Sequence, residues 1–216
     1  MRDDIIHNGT WEEEQLNYLK RLAFEYRNDK AKKTFLDIGS YFGLYSLHMS
    51  RLNVFDEIIA FEADALNHRQ LQANLLLNDP TLFIKTHNFA VSDNNGEAYF
   101  FPSWAHPSKN RGGVGLVAEE LNLAHRVRVP TRMLDSVLSL SGNIIFIKID
   151  VEGAEFSVLQ GMRNILIKNR CVLQIESLIF NESDIESNKK RNDMLMEMGY
   201  RLIHSINPDN YYSNID

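Results

Sequence analysis

Four runs of nearly unbroken apolar residues recur along the chain, with amphipathic segments between them. They are Thr34-Phe35-Leu36-Asp37-Ile38-Gly39, Glu57-Ile58-Ile59-Ala60-Phe61-Glu62, residues 143–150 and residues 172–176. A strand that is apolar at successive positions is covered on both faces, as strands of a parallel sheet are. Helical spacing over residues 44–52, 66–78, 154–167 and 185–198 predicts the connecting helices. A third strand is predicted over 83–92 and a closing strand over 200–205. Alternating strands and helices with right-handed crossovers give an α/β, Rossmann-like, doubly wound and mostly parallel sheet. Ahead of it, Trp11, Leu16, Leu19, Leu22 and Phe24 stand among charged residues. This pattern predicts an amphipathic helix within 10–28, with Thr10 as N-cap and Glu13 three places on.

One stretch breaks the alternation. Asn94-Asn95-Gly96 signals a tight hairpin turn between 83–92 and Glu97-Ala98-Tyr99-Phe100-Phe101. Pro102, Pro107 and Gly112-Gly113-Val114-Gly115 predict a mobile surface loop, and Arg126 to Pro130 alternates like an exposed strand. The expected organisation is a single domain over 1–216, with residues 1–33 as a helical appendage and 94–130 as hairpin and loop.

Composition narrows the function. The 216 residues carry a formal net charge of -6, and the short basic clusters at 30–33 and 189–191 read as solvated helix ends. A nucleic-acid partner, which calls for a basic face, is not expected. No run approaches the ~20 apolar residues of a membrane span, and the N-terminus lacks a signal peptide's apolar region, so a cytoplasmic protein without membrane insertion is expected. The lone Cys171, in Cys171-Val172-Leu173, reads as a buried small hydrophobe suited to a reducing compartment.

Candidate chemistry sits at strand ends, where doubly wound sheets bind ligands. Asp37-Ile38-Gly39-Ser40-Tyr41-Phe42-Gly43 is a strand-to-helix turn in which Gly39 lets the backbone approach a ligand closely. Its spacing is not the dinucleotide fingerprint, and a carboxylate there repels a diphosphate but attracts an amino group. The methionyl ammonium of S-adenosylmethionine suits that place, with its carboxylate near the following helix N-terminus. Glu62 follows Gly39 by 23 positions, near the ~20-residue offset at which an acid takes ribose hydroxyls. A third cluster, Ile147-Lys148-Ile149-Asp150-Val151-Glu152-Gly153-Ala154-Glu155, ends a buried strand with acids beside a lysine, which is costly to build without a use.

These clusters, in this order, resemble the FkbM family of S-adenosylmethionine-dependent methyltransferases over about residues 34–180. Further matching pieces are Gly43-Leu44-Tyr45-Ser46-Leu47, Phe61-Glu62-Ala63-Asp64 with Asn74 and Asn78, Ala90-Val91-Ser92-Asp93 with Gly96, and Leu134-Asp135-Ser136. The resemblance implies a class I methyltransferase fold and O-methylation of sugar hydroxyls, on glycans or on natural-product scaffolds. It implies that Asp37, Gly39, Ser40 and Gly43 line the methionyl end, that Glu62 with Ala63 holds the ribose, and that Asn88, Phe89 and Ala90 lie by the adenine. Asp150 and Glu152 then fall near the sulfonium and the acceptor. The chain departs from the family pattern at Ser40-Tyr41 and at Ala63, and Tyr41 alters the pocket entrance.

Methyl transfer to a sugar hydroxyl calls for positioning and a general base. The candidates, in order, are Asp150, Glu152 and Glu176, with His106 or His125 reaching in from the loop. The same three acids also suit a magnesium ion polarising paired hydroxyls. Lys148 orients the carboxylates, meets an anionic group on the acceptor, or forms a plain structural ion pair. Trp104, with Tyr99, Phe100 and Phe101, offers aromatic faces for a sugar ring. The first helix suits covering the cofactor or meeting a second copy in a homodimer, and association with a glycosyltransferase is left open. The competing classes are a non-catalytic cofactor-binding subunit and a nicotinamide-dependent oxidoreductase, the latter lacking its glycine fingerprint.

Overall fold

The computed structural model describes residues 11–79, 81, 83–105, 116–117, 125–177 and 182–215. Thr10, His106, Pro107 and the 112–115 glycine run lie outside them. The first half runs α1 (Glu13–Glu25), β1 (Lys33–Ile38), α2 (Leu44–Ser50), β2 (Glu57–Phe61), α3 (Ala65–Asn78), β3 (Ile84–His87), β4 (Ala90–Val91), β5 (Gly96–Phe100) and β6 (Leu116–Val117). The second half runs β7 (Val127–Arg132), α4 (Leu134–Val137), β8 (Ile144–Ile149), α5 (Glu155–Gly161), α6 (Arg163–Lys168), β9 (Arg170–Glu176), α7 (Glu182–Glu197), β10 (Arg201–Ile206) and β11 (Asp209–Ser213).

Every residue of β1 and β8 is buried, as their apolar runs require of strands covered on both faces. The seven-stranded sheet has the order β10-β11-β9-β8-β1-β2-β3. The pairs from β3 through β9 are parallel, and β11 is antiparallel to both β9 and β10. The chain leaves β1 toward β2 and β3, then returns to the other side of β1 for β8 and β9. The order reverses between β1 and β8, and their carboxyl ends, Gly39 and Asp150, flank that switch point. Doubly wound sheets place their ligands there.

One core cluster joins the helices α5 and α6 to the sheet through residues such as Leu36, Ile147, Val158 and Leu173. The other joins Leu16, Leu19 and Ala23 of α1 to Phe35, Phe146 and Tyr211, so α1 seals the opposite face. Cys171 is fully buried, as its apolar neighbours predicted. Among the described residues no helix is long and apolar enough to cross a membrane.

Several expectations are corrected. The strand over 83–92 divides: β3 stays in the large sheet, while β4 joins a four-stranded sheet ordered β4-β7-β5-β6. Between them Asn88 donates to the carbonyls of Glu62 and Ala63 (2.9 and 3.1 Å), which bends the chain out of the ladder. No hairpin joins β4 to β5, because β7 lies between them. None of Asn94, Asn95 or Gly96 adopts the left-handed backbone of a tight two-residue turn. Asn94 accepts from the Thr131 hydroxyl (2.9 Å), and Asn95 accepts from Met133 N and Ser136 Oγ (2.9 and 3.0 Å).

The helix expected over 154–167 breaks at Met162. Gly161 packs so tightly that a Cβ would sit 1.9 Å from the Ser92 carbonyl oxygen. The carboxylate of Asp135 then accepts from Asn164 N and Ile165 N (2.8 and 3.0 Å), capping α6 from outside the helix. At the N-terminus the cap position of α1 is Glu12, whose side chain makes no capping bond. The predicted closing strand, β10, is an edge, and the unpredicted β11 inserts between it and β9.

Candidate active site

The turn after β1 is held by its neighbour strand. Gly39 N and Ser40 N both donate to the Phe61 carbonyl (3.0 Å each), and Gly39 has φ +80°. A Cβ on Gly39 would lie 1.7 Å from the Asp150 carbonyl oxygen, so only glycine lets β1 and β8 meet there. Gly43, at φ +88°, opens α2 against Leu71. Asn74 of α3 fixes the turn by donating to the Phe42 carbonyl (2.9 Å). Asp37 is buried beneath it and accepts from Ser46 N (3.0 Å) and Ser46 Oγ (2.5 Å). Burial pushes its carboxyl up to about 6, against the pull of Ser46 and Lys148.

At the tip of β2, Glu62 is equally buried. Its two oxygens accept from Tyr41 N and Asp64 N, each at 2.8 Å, and burial still drives the carboxyl up to about 8. Asp64 caps α3 by accepting from Leu66 N and Asn67 N (2.8 and 2.9 Å).

These strand ends open onto a cavity of about 330 Å³. Gly39, Tyr41, Glu62 and Ala63 form one side, and Phe61, Phe89, Ala90 and Val91 give an apolar wall. Asp150, Glu152 and Glu176 stand on another side, and Phe100, Leu116, Trp11 and Glu12 complete the lining. One oxygen from each of the three acids lies within 4.8 Å of the others. Burial raises Glu152 to about 7, helped by the charges of Asp150 and Glu155. Burial and the charges of Asp150 and Glu152 hold Glu176 well above the carboxylate range. Protonation thereby relieves the repulsion among them. The donor set is all oxygen, which fits a hard divalent cation.

Lys148, almost wholly buried, lies 3.2 Å from Asp150 Oδ2, 3.3 Å from Glu12 Oε2 and 4.0 Å from Asp209 Oδ1. Burial lowers its affinity for a proton, but Asp150, Asp209 and Glu12 outweigh that and leave it charged. This geometry pairs Lys148 with carboxylates, as either an orienting group or a plain structural ion pair would be. Gln174 ties the group together by donating to Tyr45 Oη and Asp209 Oδ2 (2.8 Å each).

Five described non-glycine residues have left-handed backbones: Glu12, Tyr41, Asn53, His125 and Glu152. Three of them, Glu12, Tyr41 and Glu152, line the cavity. Such conformations cost of order 1–3 kcal/mol each and gather at functional sites.

The sequence-derived candidates distribute unevenly. Asp150, Glu152, Glu176, Gly39, Glu62, Ala63 and Ala90 line the main cavity. Asp37, Ser40 and Lys148 line a smaller one of about 40 Å³ beside it, which Gly39 and Asp150 also border. Gly43 and Asn88 line neither and shape the turns behind. Trp104 is 59% exposed and packs edge-on to His125 with centroids 5.4 Å apart, away from both cavities. Sequence reasoning placed Trp11 only in a helix and missed Glu12 and Asp209. Their separation from Lys148 along the chain hides them, although Glu12 as an acid beside an aromatic at a helix start was a visible oddity.

The domain model for the methyltransferase FkbM domain matches residues 37–202. The chain belongs to the FkbM methyltransferase family. The FkbM methyltransferase of Methylobacillus flagellatus KT superposes with a TM-score of 0.58 at 19% identity, over 84% of this chain and 43% of that one. The chain thus spans less than half the length of that FkbM protein. A protein of Staphylococcus aureus, provisionally assigned as a caffeoyl-CoA O-methyltransferase, gives a TM-score of 0.56 at 11% identity over 98% and 88% of the two chains. A Streptococcus mutans protein, provisionally assigned as a methyltransferase and solved with S-adenosylhomocysteine, gives 0.51 at 8% identity over 89% and 94%. These likenesses place the FkbM chain in the class I methyltransferase fold. No curated protein matches its sequence.

The raised acids carry a consequence for stability. Glu62 (about 8), Glu152 (about 7), Asp37 and Asp209 (both about 6) hold protons that the unfolded chain has released well below neutrality. The folded state binds more protons, so their contribution is full below the unfolded values near 4 and is lost as pH rises through 6 to 8. Melting of the ligand-free protein is expected about 5 °C higher near pH 5.5 than near pH 8. A melting temperature that climbs over that range would contradict the burial of these carboxyls.

Proposed function

We propose that this FkbM-family chain transfers a methyl group from S-adenosylmethionine to a hydroxyl oxygen of a sugar or glycan. The observation that carries the reading is the shared cavity. A buried carboxylate with two oriented oxygens, an apolar aromatic wall and a cluster of acids all face one space of about 330 Å³.

The residues fit the donor. Glu62 accepts from the ribose hydroxyls, Phe61 and Phe89 bound the adenine, and the glycine turn admits the methionyl chain. When bound, the donor supplies an electrophilic methyl group on a sulfonium. The acids opposite stabilise that positive charge, and one of them removes the proton of the attacking hydroxyl as the C–O bond forms and the S–C bond breaks. Glu152 takes that part: its carboxyl is poised near neutral pH, as a general base should be, whereas Asp150 is engaged by Lys148. A cytoplasmic place of work suits the soluble donor.

Isothermal titration with S-adenosylhomocysteine should give binding that Glu62→Gln weakens roughly tenfold or more, the worth of hydrogen bonds to a charged group. Affinity should also fall as pH drops below about 8, because the ribose is held by ionised Glu62. Absence of heat at high ligand concentration removes the donor assignment. Mass spectrometry of sugar acceptors incubated with isotopically labelled S-adenosylmethionine then tests the acceptor class.

A further inference from the structure

Trp11 and Glu12 precede the FkbM domain match, which begins at residue 37, yet both line the main cavity and the small one beside it. The small cavity lies between the glycine turn and Lys148, with Tyr41, Tyr45 and Asp150 on its walls. Glu12 is held into it from three directions. Tyr45 Oη donates to Oε2 (2.9 Å), Lys148 Nζ stands 3.3 Å from the same oxygen, and Trp11 Nε1 donates to Oε1 (3.0 Å). Its backbone is left-handed at φ 52°.

Charge around this space is unbalanced. One ammonium, Lys148, serves the carboxylates of Glu12, Asp150 and Asp209. Asp209 is 1% exposed, and its Oδ1 has no hydrogen-bond partner. Buried like charges are tolerated when a counter-charge accompanies them. A second ammonium entering beside Lys148 supplies it, and the small cavity bordered by Lys148, Glu12 and Asp150 continues the cofactor site.

We propose that Glu12 is a cofactor ligand: with Asp150 it holds the α-amino group of S-adenosylmethionine in the small cavity, and Trp11 closes the outer side. This rests on the donor assignment above and adds to it a contact from outside the family domain. The start of α1 thereby selects for the amino-acid half of the donor, while Glu62 and the apolar wall select for the adenosine half.

The test compares two ligands on the full chain by isothermal titration: S-adenosylhomocysteine, and 5′-methylthioadenosine, which lacks the amino-acid end. Glu12→Gln is expected to weaken S-adenosylhomocysteine about tenfold to a hundredfold, the range for a charge-assisted hydrogen bond, and to leave 5′-methylthioadenosine within about twofold. Tyr45→Phe keeps the carboxylate but removes its phenol anchor, so a smaller loss with the same selectivity is expected. Equal weakening of both ligands by Glu12→Gln gives Glu12 a merely structural part and overturns the inference, as does no change. Wild-type protein that binds 5′-methylthioadenosine but not S-adenosylhomocysteine overturns it while leaving an adenosine site standing. Wild-type protein that binds neither removes the donor assignment and this inference with it.

Discussion

Replacing Gly39 with alanine is expected to lower the melting temperature by about 10 °C or more and to abolish cofactor binding. The added Cβ would fall 1.7 Å from the carbonyl oxygen of Asp150 and 2.7 Å from its carbonyl carbon. Both are backbone atoms at the end of a central strand, and Asp150 N is itself tied to the Ile38 carbonyl (3.0 Å), so neither can withdraw cheaply. The left-handed backbone adds roughly 1–2 kcal/mol for any residue with a Cβ. Gly142→Ala separates the two effects, since Gly142 is also left-handed (φ 71°) but has nothing within 4 Å of the added carbon. It should lose only a few degrees, about what the backbone penalty alone predicts. Similar melting curves for the two variants would show that the strand ends are not packed as described.

Glu152→Gln is expected to cut turnover by about a hundredfold to ten-thousandfold while leaving S-adenosylhomocysteine affinity within a few-fold. The substitution keeps the side chain's shape and removes its capacity to take a proton. In the wild type at saturating donor, the acid limb of kcat/KM for the acceptor should bend near pH 7, where Glu152 titrates, and the residual rate of the variant should lack that bend. Asp150→Asn differs in kind: it strips a partner from Lys148, so its loss of activity should come with a lower melting temperature. A Glu152→Gln enzyme of near-normal turnover would move the proton-accepting role elsewhere in the cluster.

The central strands were legible because their burial is written as apolar runs, and each ends in the glycine or acid that faces the cavity. Asp150, Glu152 and Glu176 come together for that reason: they end or follow neighbouring parallel strands. Residues 83–92 misled because no glycine or proline marks a break at Asn88-Phe89, where a side-chain amide bonded to the Glu62 and Ala63 carbonyls turns the chain into a second sheet. Asn94-Asn95-Gly96 carries the composition of a tight turn, but its asparagines are spent on Thr131, Met133 and Ser136, contacts set by tertiary packing. The strand Asp209–Ser213 escaped notice because its residues, Asp-Asn-Tyr-Tyr-Ser, show neither an apolar run nor clean alternation. Glu12 and Lys148 are 136 positions apart, and no local pattern joins them.

The insertion of β11 between β9 and β10 sets an order for biosynthesis. While the chain emerges from the ribosome, β9 has no partner on its outer side, and Lys148 and Gln174 lack Asp209. The nascent chain can pair its central parallel strands early, but the polar buttress beneath the acid cluster closes only when residues 209–213 arrive. The footing of the acid cluster therefore rests on a strand that follows β10 in sequence yet lies nearer the middle of the sheet.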